Sequence, residues 1–331
     1  MLNVILETCA GTLTQGLIYA ILSYGIFITY KILDFPDLTV DGSFPLGAAV
    51  TAVLLTHGVN AWLTLPIALV IGALAGLCTG LIHVRARVRD LLAGIITMTA
   101  LYSINLQIAG SNLMVERAID TIYTSAPVMA VLGSVPLLYR KLIVSLVLVV
   151  LIGLVLEWYF STKNGLLLRA VGDNDTLVTT LAVDKGSMKI LGLVIANALV
   201  ALSGCIVCQE GRSFSATMGT GQMVFGLAAV IIGTTLFRRM SFVKGTAAVV
   251  IGSIQYAEIY HRGAVPGHSY HREPERPERR RRPCWSLKIS PKYITPARSL
   301  RPACSGTLTF RWKRASLFPS WAATAAARPP C

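Results

Sequence analysis

Charge is what this chain has least of. Only 14% of its 331 residues are Asp, Glu, Lys or Arg, against about 25% in a typical soluble domain. Hydrophobic residues make up 54%, and the mean hydropathy is +0.63. This balance excludes a soluble globular domain. Catalytic motifs are missing as well: there is no H-E-x-x-H, no G-x-S-x-G, no Cys/His cluster with metal-ligand spacing and no in-frame P-loop. The five histidines (His57, His83, His261, His268, His271) are isolated or lie in the last quarter. No catalytic residue, no metal site and no cofactor are therefore assigned, and the chain is not expected to be an enzyme. Seven cysteines form no framework; Cys205-x-x-Cys208 sits inside an apolar run without a βαβ context and reads as helix filler. Residues 1–12 lack a basic start and the first apolar span is long, so no cleavable signal peptide is expected.

What is present is a series of apolar runs. A helix needs about 20 apolar residues to cross the roughly 30 Å of hydrocarbon in a bilayer. Candidate spans are Leu13–Ile32, Ser43–His57 (short and broken), Trp62–Ile82, Leu91–Gly110, Lys141–Trp158, Ile190–Cys208 and Met223–Phe237. An eighth, Phe242–Tyr256, stops short. The expected fold is all-α and polytopic, with about seven complete membrane helices and a truncated eighth. Gly72, Gly76 and Gly80 recur every four residues on one helix face, a pattern that permits close helix contact. Arg85, Arg87 and Arg89 after the third span, and Arg238, Arg239 and Lys244 after the seventh, mark the cytoplasmic side. Counting backward, Lys31–Asp41 and Tyr159–Lys189 face the cytoplasm as well.

The stretch Ile32–Val50, I-L-D-F-P-D-L-T-V-D-G-S-F-P-L-G-A-A-V, places three carboxylates, two prolines and two glycines between apolar spans. A membrane chain tolerates such backbone where it is buried in protein, lines a cavity or turns at an interface. This one is either a polar loop capping two ordinary helices or a discontinuous helix on a transport pathway. The residues resemble a signature of the ABC-transporter permeases related to the branched-chain amino-acid and ribose permeases. The resemblance continues through L-L-A-G-I-I-T-M-T-A-L-Y-S-I-N-L (Leu91–Leu106), K-I-L-G-L-V-I-A-N-A-L-V-A-L-S-G (Lys189–Gly204) and M-V-F-G-L-A-A-V-I-I-G (Met223–Gly233). It fades near Tyr256.

The resemblance implies a permease subunit of an importer for a small solute, with amino acids as one candidate, in a bacterial inner membrane. It implies a second permease copy, a separate ATPase that binds the ATP, an extracellular substrate-binding lipoprotein and surrounding lipid as partners, and no nucleic acid. In the cytoplasmic segment Ser161–Val183, Gly165, Arg169, Ala170 and Gly172 resemble the G-x-x-x-R-A-x-G pattern of the family's coupling loop, a short helix that docks on the ATPase. Polar groups inside spans are costly and often functional. Asn105 and Asn197 either face the translocation path or bond between helices, and Asp41 and Ser43 are placed at its inner mouth. The outer segment Gln209–Gly219 departs from the family, because Arg212 and Ser213 separate Gly211 from Phe214.

The chain divides in two by composition. Residues 257–331 hold half of the 30 Lys and Arg but only 4 of the 16 carboxylates, a net charge of +11, which leaves +3 for the membrane region 1–256. Taken literally, the tail is a basic, Pro/Arg-rich disordered arm. Shifting the codons of Cys284–Arg298 by one base permits M-L-E-L-K-[N/D]-I-T-K-[I/V]-[Y/H]-N-P-G-T. The same shift of Phe318–Cys331 permits S-V-[L/M/V]-G-G-N-G-S-G-K-T-T-L, which contains a P-loop. Two ordered matches, spaced like the start of an ATPase and its P-loop, point to a neighbouring gene read out of frame after about residue 255. Two other readings remain: an ATP-independent channel or secondary transporter, and a truncated permease that inserts without working. Resequencing the gene through codons 245–331 is expected to show that a one-base correction joins Ile254 to a further apolar run; confirmation of the present frame would make the basic tail genuine.

Overall fold

A computed structural model describes residues 2–133, 135–173, 184–237 and 245–263. The chain is helical: α1 Leu2–Ile26 continues as a π-helix, Phe27–Ile32, followed by α2 Val40–Thr56, α3 Ala61–Val84 and α4 Asp90–Ala109. Strand β1 Asn112–Met114, short helix α5 Ala126–Leu132, α6 Leu137–Ser161, α7 Lys163–Asp173 and α8 Lys185–Gly211 come next. Strand β2 Ser213–Ser215, α9 Gln222–Leu236 and α10 Gly245–Gly263 complete the described elements. β1 and β2 pair antiparallel, with Leu113 opposite Phe214.

Five of these helices are long and apolar enough to cross a membrane: Glu7–Ile32, α3, α4, α6 and α8. α2, with 17 residues, and α9, with 15, are apolar but shorter. The seven expected spans thus each correspond to a helix, while five, rather than seven, have full membrane length among the described residues. The first helix starts eleven residues before the expected Leu13. The eighth apolar run does not stop at Tyr256; helix α10 carries it to Gly263. Arg238, Arg239, Lys244, the segment 174–183 and the tail from residue 264 lie outside the described residues.

α1 and α8 form the centre. Of their apolar windows 72% and 67% is buried, against 33% or less for α3, α4 and α6, whose remaining surface is apolar as lipid requires. The two central helices run antiparallel, since Gly25 meets Ala196 and Val200 while Ser203 Oγ donates to the Ile18 carbonyl. In lipid, helices gain little from hydrophobic burial and associate through close packing and interhelical hydrogen bonds. The glycine face of α3 does this: Gly72, Gly76 and Gly80 lie against Ala201 and Asn197, Leu193, and Ile190 of α8. α2 also packs on α8, Gly47 against the Ala201 carbonyl and Gly204 against the Phe44 carbonyl. Across the molecule α9 and α10 pack on α1 instead, Gly226 against Leu22 and Ile26, and Gly16 against Ile254 and Ala257.

Two ends can be distinguished by what clusters there. At one, the π-helix and residues 33–38 meet the start of α4, the end of α3, α7 and the start of α8: Gly94 lies on Leu38, Phe35 stacks edge-on with His83 at 5.1 Å, and Gly186 touches Val84. These are the segments that the arginine pattern assigns to the cytoplasm. At the other end Gln209 donates to Thr64 Oγ1 (2.8 Å) and accepts from the Ile122 N–H (2.9 Å), tying α3 and α8 to the 111–125 connection. Arg212, in the left-handed conformation at φ 50°, turns the chain out of α8, and its guanidinium donates to the carbonyls of Glu116 and Ile119. The two residues that depart from the family pattern therefore form the turn into β2.

A side chain at Gly76 would sit on the Leu193 backbone. Gly76→Val is expected to loosen α3 from α8 and lower unfolding stability by about 1–3 kcal/mol. Gly11→Ala, where the added methyl meets open space, is the control; both are read by thermal unfolding in detergent.

Candidate functional site

The site is built on the break between the first span and α2. The π-helix Phe27–Ile32 ends the span with a widened turn, a feature that frequently marks functional positions. Asp34 follows at φ 52°, a left-handed conformation that Asp adopts more readily than most residues. Pro36 removes a backbone donor just before the chain turns again. The Asp37 carboxylate then receives the Thr39 N–H at Oδ1 (2.9 Å), an Asx turn that launches α2.

Asp37 is 2% exposed, and no cationic side chain pairs with it among the described residues. Its second oxygen, Oδ2, accepts from Asn197 Nδ2 at 2.7 Å. The Asn197 amide also donates to the Leu193 carbonyl at 3.1 Å, and its Oδ1 accepts from Ser43 Oγ at 2.7 Å. Thr39 Oγ1 and Thr79 Oγ1 share a 2.9 Å bond beside them. The result is a buried chain, Asp37–Asn197–Ser43, that ties the irregular segment to the middle of α8 and the start of α2. Burial pushes the Asp37 carboxyl up, against the opposing pull of the hydrogen bonds from Thr39 and Asn197.

Asp41 lies one turn further on. Its Oδ1 accepts from the Met223 N–H (2.8 Å) and its Oδ2 from the Gly221 N–H (3.1 Å). The carboxylate thus caps the first turn of α9 from across the molecule. It sits in the first turn of its own helix too, so the positive ends of both short helices share one anion. Pro45, four residues later, has no N–H for the Asp41 carbonyl, and Gly219 packs directly on that oxygen. Asn105 Nδ2 donates to the Gly42 carbonyl at 3.2 Å, and its buried Oδ1 has no hydrogen-bond partner among the described residues.

Of the residues expected on a pathway, Asp41, Ser43, Asn105 and Asn197 are brought together around the first two turns of α2. Ser43 and Asn197 bond directly; Asp41 and Asn105 attach to neighbouring turns. Asp37 is the member that motif reasoning left out, although its position in D-F-P-D-L-T was visible. The signal was a carboxylate in apolar sequence two residues before a threonine that opens a helix.

Gly165, Arg169, Ala170 and Gly172 form a separate group on α7. Gly165 lies against Tyr159 and Phe160 at the end of α6, and Gly172 lies on the Ile32 carbonyl. The Arg169 guanidinium stacks 4.9 Å above the Phe160 ring, with its side chain exposed. Leu168 is buried against Gly192 of α8, beside Leu33. Ile32 and Leu33 thus touch α7, while Asp37 and Thr39, a few residues on, hold the buried polar chain. Among the described residues no three His, Cys, Asp or Glu side chains are placed to hold a metal ion. Cys205 and Cys208 are buried free thiols.

Asn197→Ala removes the donor to Asp37 and the acceptor of Ser43. It is expected to cost about 1–3 kcal/mol, the usual penalty for stranding a buried polar group. In an Asp37→Asn, Asn197→Ala double variant the penalty should shrink, since the stranded group no longer carries a charge; a thermal double-mutant cycle in detergent reads the coupling.

Comparison with known proteins gives concordant matches. The family described as branched-chain amino acid transport system / permease component matches residues 8–263. A tyrosine transport system permease protein of Clostridioides difficile is 38% identical over 246 residues, covering 74% of this chain and 79% of that protein. An uncharacterized protein of Rickettsia prowazekii is 33% identical over 253 residues, 74% of this chain and 84% of that one. The ribose import permease protein RbsC of Haemophilus influenzae is 26% identical over 266 residues, 78% and 76% respectively. No solved structure matches.

Proposed function

Because this chain belongs to the family of branched-chain amino acid transport permease components, and so is a multi-pass inner-membrane permease of an ABC importer, we propose that two copies of it enclose the translocation path. The family's members are transporters rather than enzymes. ATP is bound by a separate ATPase, not by this chain, and an extracellular lipoprotein delivers the solute. The amino-acid branch is favoured by the 38% identity to a permease named for tyrosine transport, above the 26% to one named for ribose. Seven spans cross the membrane, with α2 and α9 as short ones, and α10 begins an eighth. The tail that follows the family match at residue 263 is translated out of frame and takes no part in transport.

One observation carries the mechanism: the segment 32–39 touches both groups of site residues. Gly172 of α7 rests on Ile32, and Asp37 bonds Asn197. On this reading α7 is the coupling helix, with Arg169 offered outward to an acidic group of the ATPase. Gly165 and Gly172 let α7 lie close enough to the membrane helices to move with them. Closure of the ATPase pushes α7 as a rigid body against Ile32 and Leu33. The displacement reaches the Asp37–Asn197–Ser43 chain and breaks its bonds. Asp41 and Asn105 belong to the same layer, where Asp41 holds the two short helices together and Asn105 ties α4 to the first turn of α2. Contacts of this kind are weak by design, since a transported solute must leave as readily as it arrives.

Arg169→Glu in a frame-restored protein is expected to abolish co-purification with the cognate ATPase while leaving the permease folded. Unchanged co-purification would remove α7 from the coupling role. Arg169→Lys, which keeps the charge, should retain most of the binding.

A further inference from the structure

Helix faces that meet lipid can be told from faces that meet something else by where their polar groups point. On α3 the outward residues include Leu63, Val70 and Leu74, and on α6 Val147, Leu151 and Leu154, all more than half exposed. Inside the same two helices the hydroxyls of Thr64, Thr79 and Ser145 are buried. That is the arrangement lipid demands, since a polar group turned into hydrocarbon without a partner costs free energy.

On α4 the pattern is reversed. Thr99, Ser103 and Gln107 follow one another every four residues, one above the next on a single face, and all three are exposed. That face points away from the rest of the chain, because Ala93, Thr97, Leu101 and Asn105 are buried on the opposite side. Thr99 is the tenth of the twenty residues of α4. At 1.5 Å per residue it lies about 15 Å from either end, near the centre of a bilayer. Thr99 Oγ1 donates back to the Ile95 and Ile96 carbonyls, and Ser103 Oγ to that of Thr99. Those bonds satisfy the hydroxyl protons and leave both oxygens able to accept. The Gln107 amide has no hydrogen-bond partner among the described residues.

We propose that the Thr99–Ser103–Gln107 face of α4 is a wall of the translocation path, turned toward water and the second copy of the chain instead of toward lipid. The inference rests on the reading that two copies enclose the path, and it names the surface each copy contributes. Polar side chains within membrane spans face a bundle interior or a water-filled cavity, and this row faces neither within one copy. The back of the helix joins the wall to the site. Asn105 donates to the Gly42 carbonyl, Met98 lies against Gly42, and Gly94 lies on Leu38. The wall therefore stands on the irregular segment and the first turn of α2, the layer that Asp37 and Asp41 organise. No charged side chain follows Asp90 along α4, so a polar solute meets hydroxyls and an amide and no fixed charge. Ile95, Ile96 and Tyr102 beside the row are 40–44% exposed and give the two copies apolar surface to meet on.

The test uses the full chain in native membranes and needs no transport activity. A photo-crosslinking amino acid replaces Thr99, Ser103 or Gln107 and, as controls on the apolar faces, Leu74 of α3 or Leu151 of α6. Chain-to-chain adducts from the three α4 positions, and lipid adducts alone from the two controls, are the expected result. In parallel, Thr99→Cys and Ser103→Cys are expected to react with a membrane-impermeant charged thiol reagent above the background of the parent chain's own cysteines, and Leu151→Cys is not. Lipid adducts alone at positions 99 and 103 overturn the proposal. Chain-to-chain adducts without thiol labelling overturn it too, because α4 is then a dry contact between copies. Adducts between copies from Leu74 or Leu151 in place of the α4 positions move the wall to another helix and leave the two-copy reading standing. A chain that light scattering in detergent shows to be a monomer, with no adduct between copies at any position, removes both.

Discussion

A carboxylate buried at 2% exposure with no cationic partner among the described residues has to be satisfied by hydrogen bonds or lose its charge. In this protein Asp37 meets that constraint with one backbone N–H and one amide, and both partners do further work. The Thr39 N–H it accepts opens α2, and the Asn197 amide it accepts belongs to the central helix α8. The same amide receives Ser43. An irregular segment inside a membrane protein would otherwise strand its backbone polar groups, at several kilocalories each. Asp37 makes the irregularity tolerable and fixes where α2 starts.

The remaining packing follows from small residues placed at those starts. Gly47 and Gly204 bring α2 onto α8, and the glycine face of α3 brings a second helix onto it. Close contact of this kind replaces the hydrophobic driving force that lipid does not provide. The two short helices then meet through Asp41, whose carboxylate satisfies N–H groups at the start of α9 while lying in the first turn of α2. A helix that begins inside the molecule needs its orphan donors satisfied by another part of the chain. The junction is therefore both a cap and a tie between the two halves.

Distance from these ties sorts the rest of the surface. Toward one end, α7 lies on the π-helix and the end of α6, with Arg169 stacked on Phe160 and free to turn outward. Toward the other, Gln209, Arg212 and the Lys141–Glu210 pair at 2.7 Å hold the 111–125 connection and β2 to the ends of α3, α6 and α8. Between them Asp37, Asn197 and Ser43 form one short bonded chain.

Composition alone determined the class of this protein, because a chain so poor in charge has no means of covering a water-facing surface. Runs of about 20 apolar residues gave the helices, and four-residue spacing identified the packing face of α3. The motif D-F-P-D-L-T-V-D-G-S-F-P pointed to the right stretch, since three acids and two prolines cannot sit in lipid without a purpose. What sequence could not supply was partnership. Asp37 and Asn197 are 160 positions apart and Asp41 and Met223 are 182 apart; nothing local distinguishes Asp37, which is buried and bonded, from Asp34, which is exposed. The reach of α10 to Gly263, past histidine and arginine, was likewise hidden, because a helix that leaves the apolar layer no longer needs apolar residues. Local chemistry set which groups had to be satisfied, and only the tertiary fold decided by whom, because hydrogen bonds between helices depend on how the helices pack and not on their order along the chain.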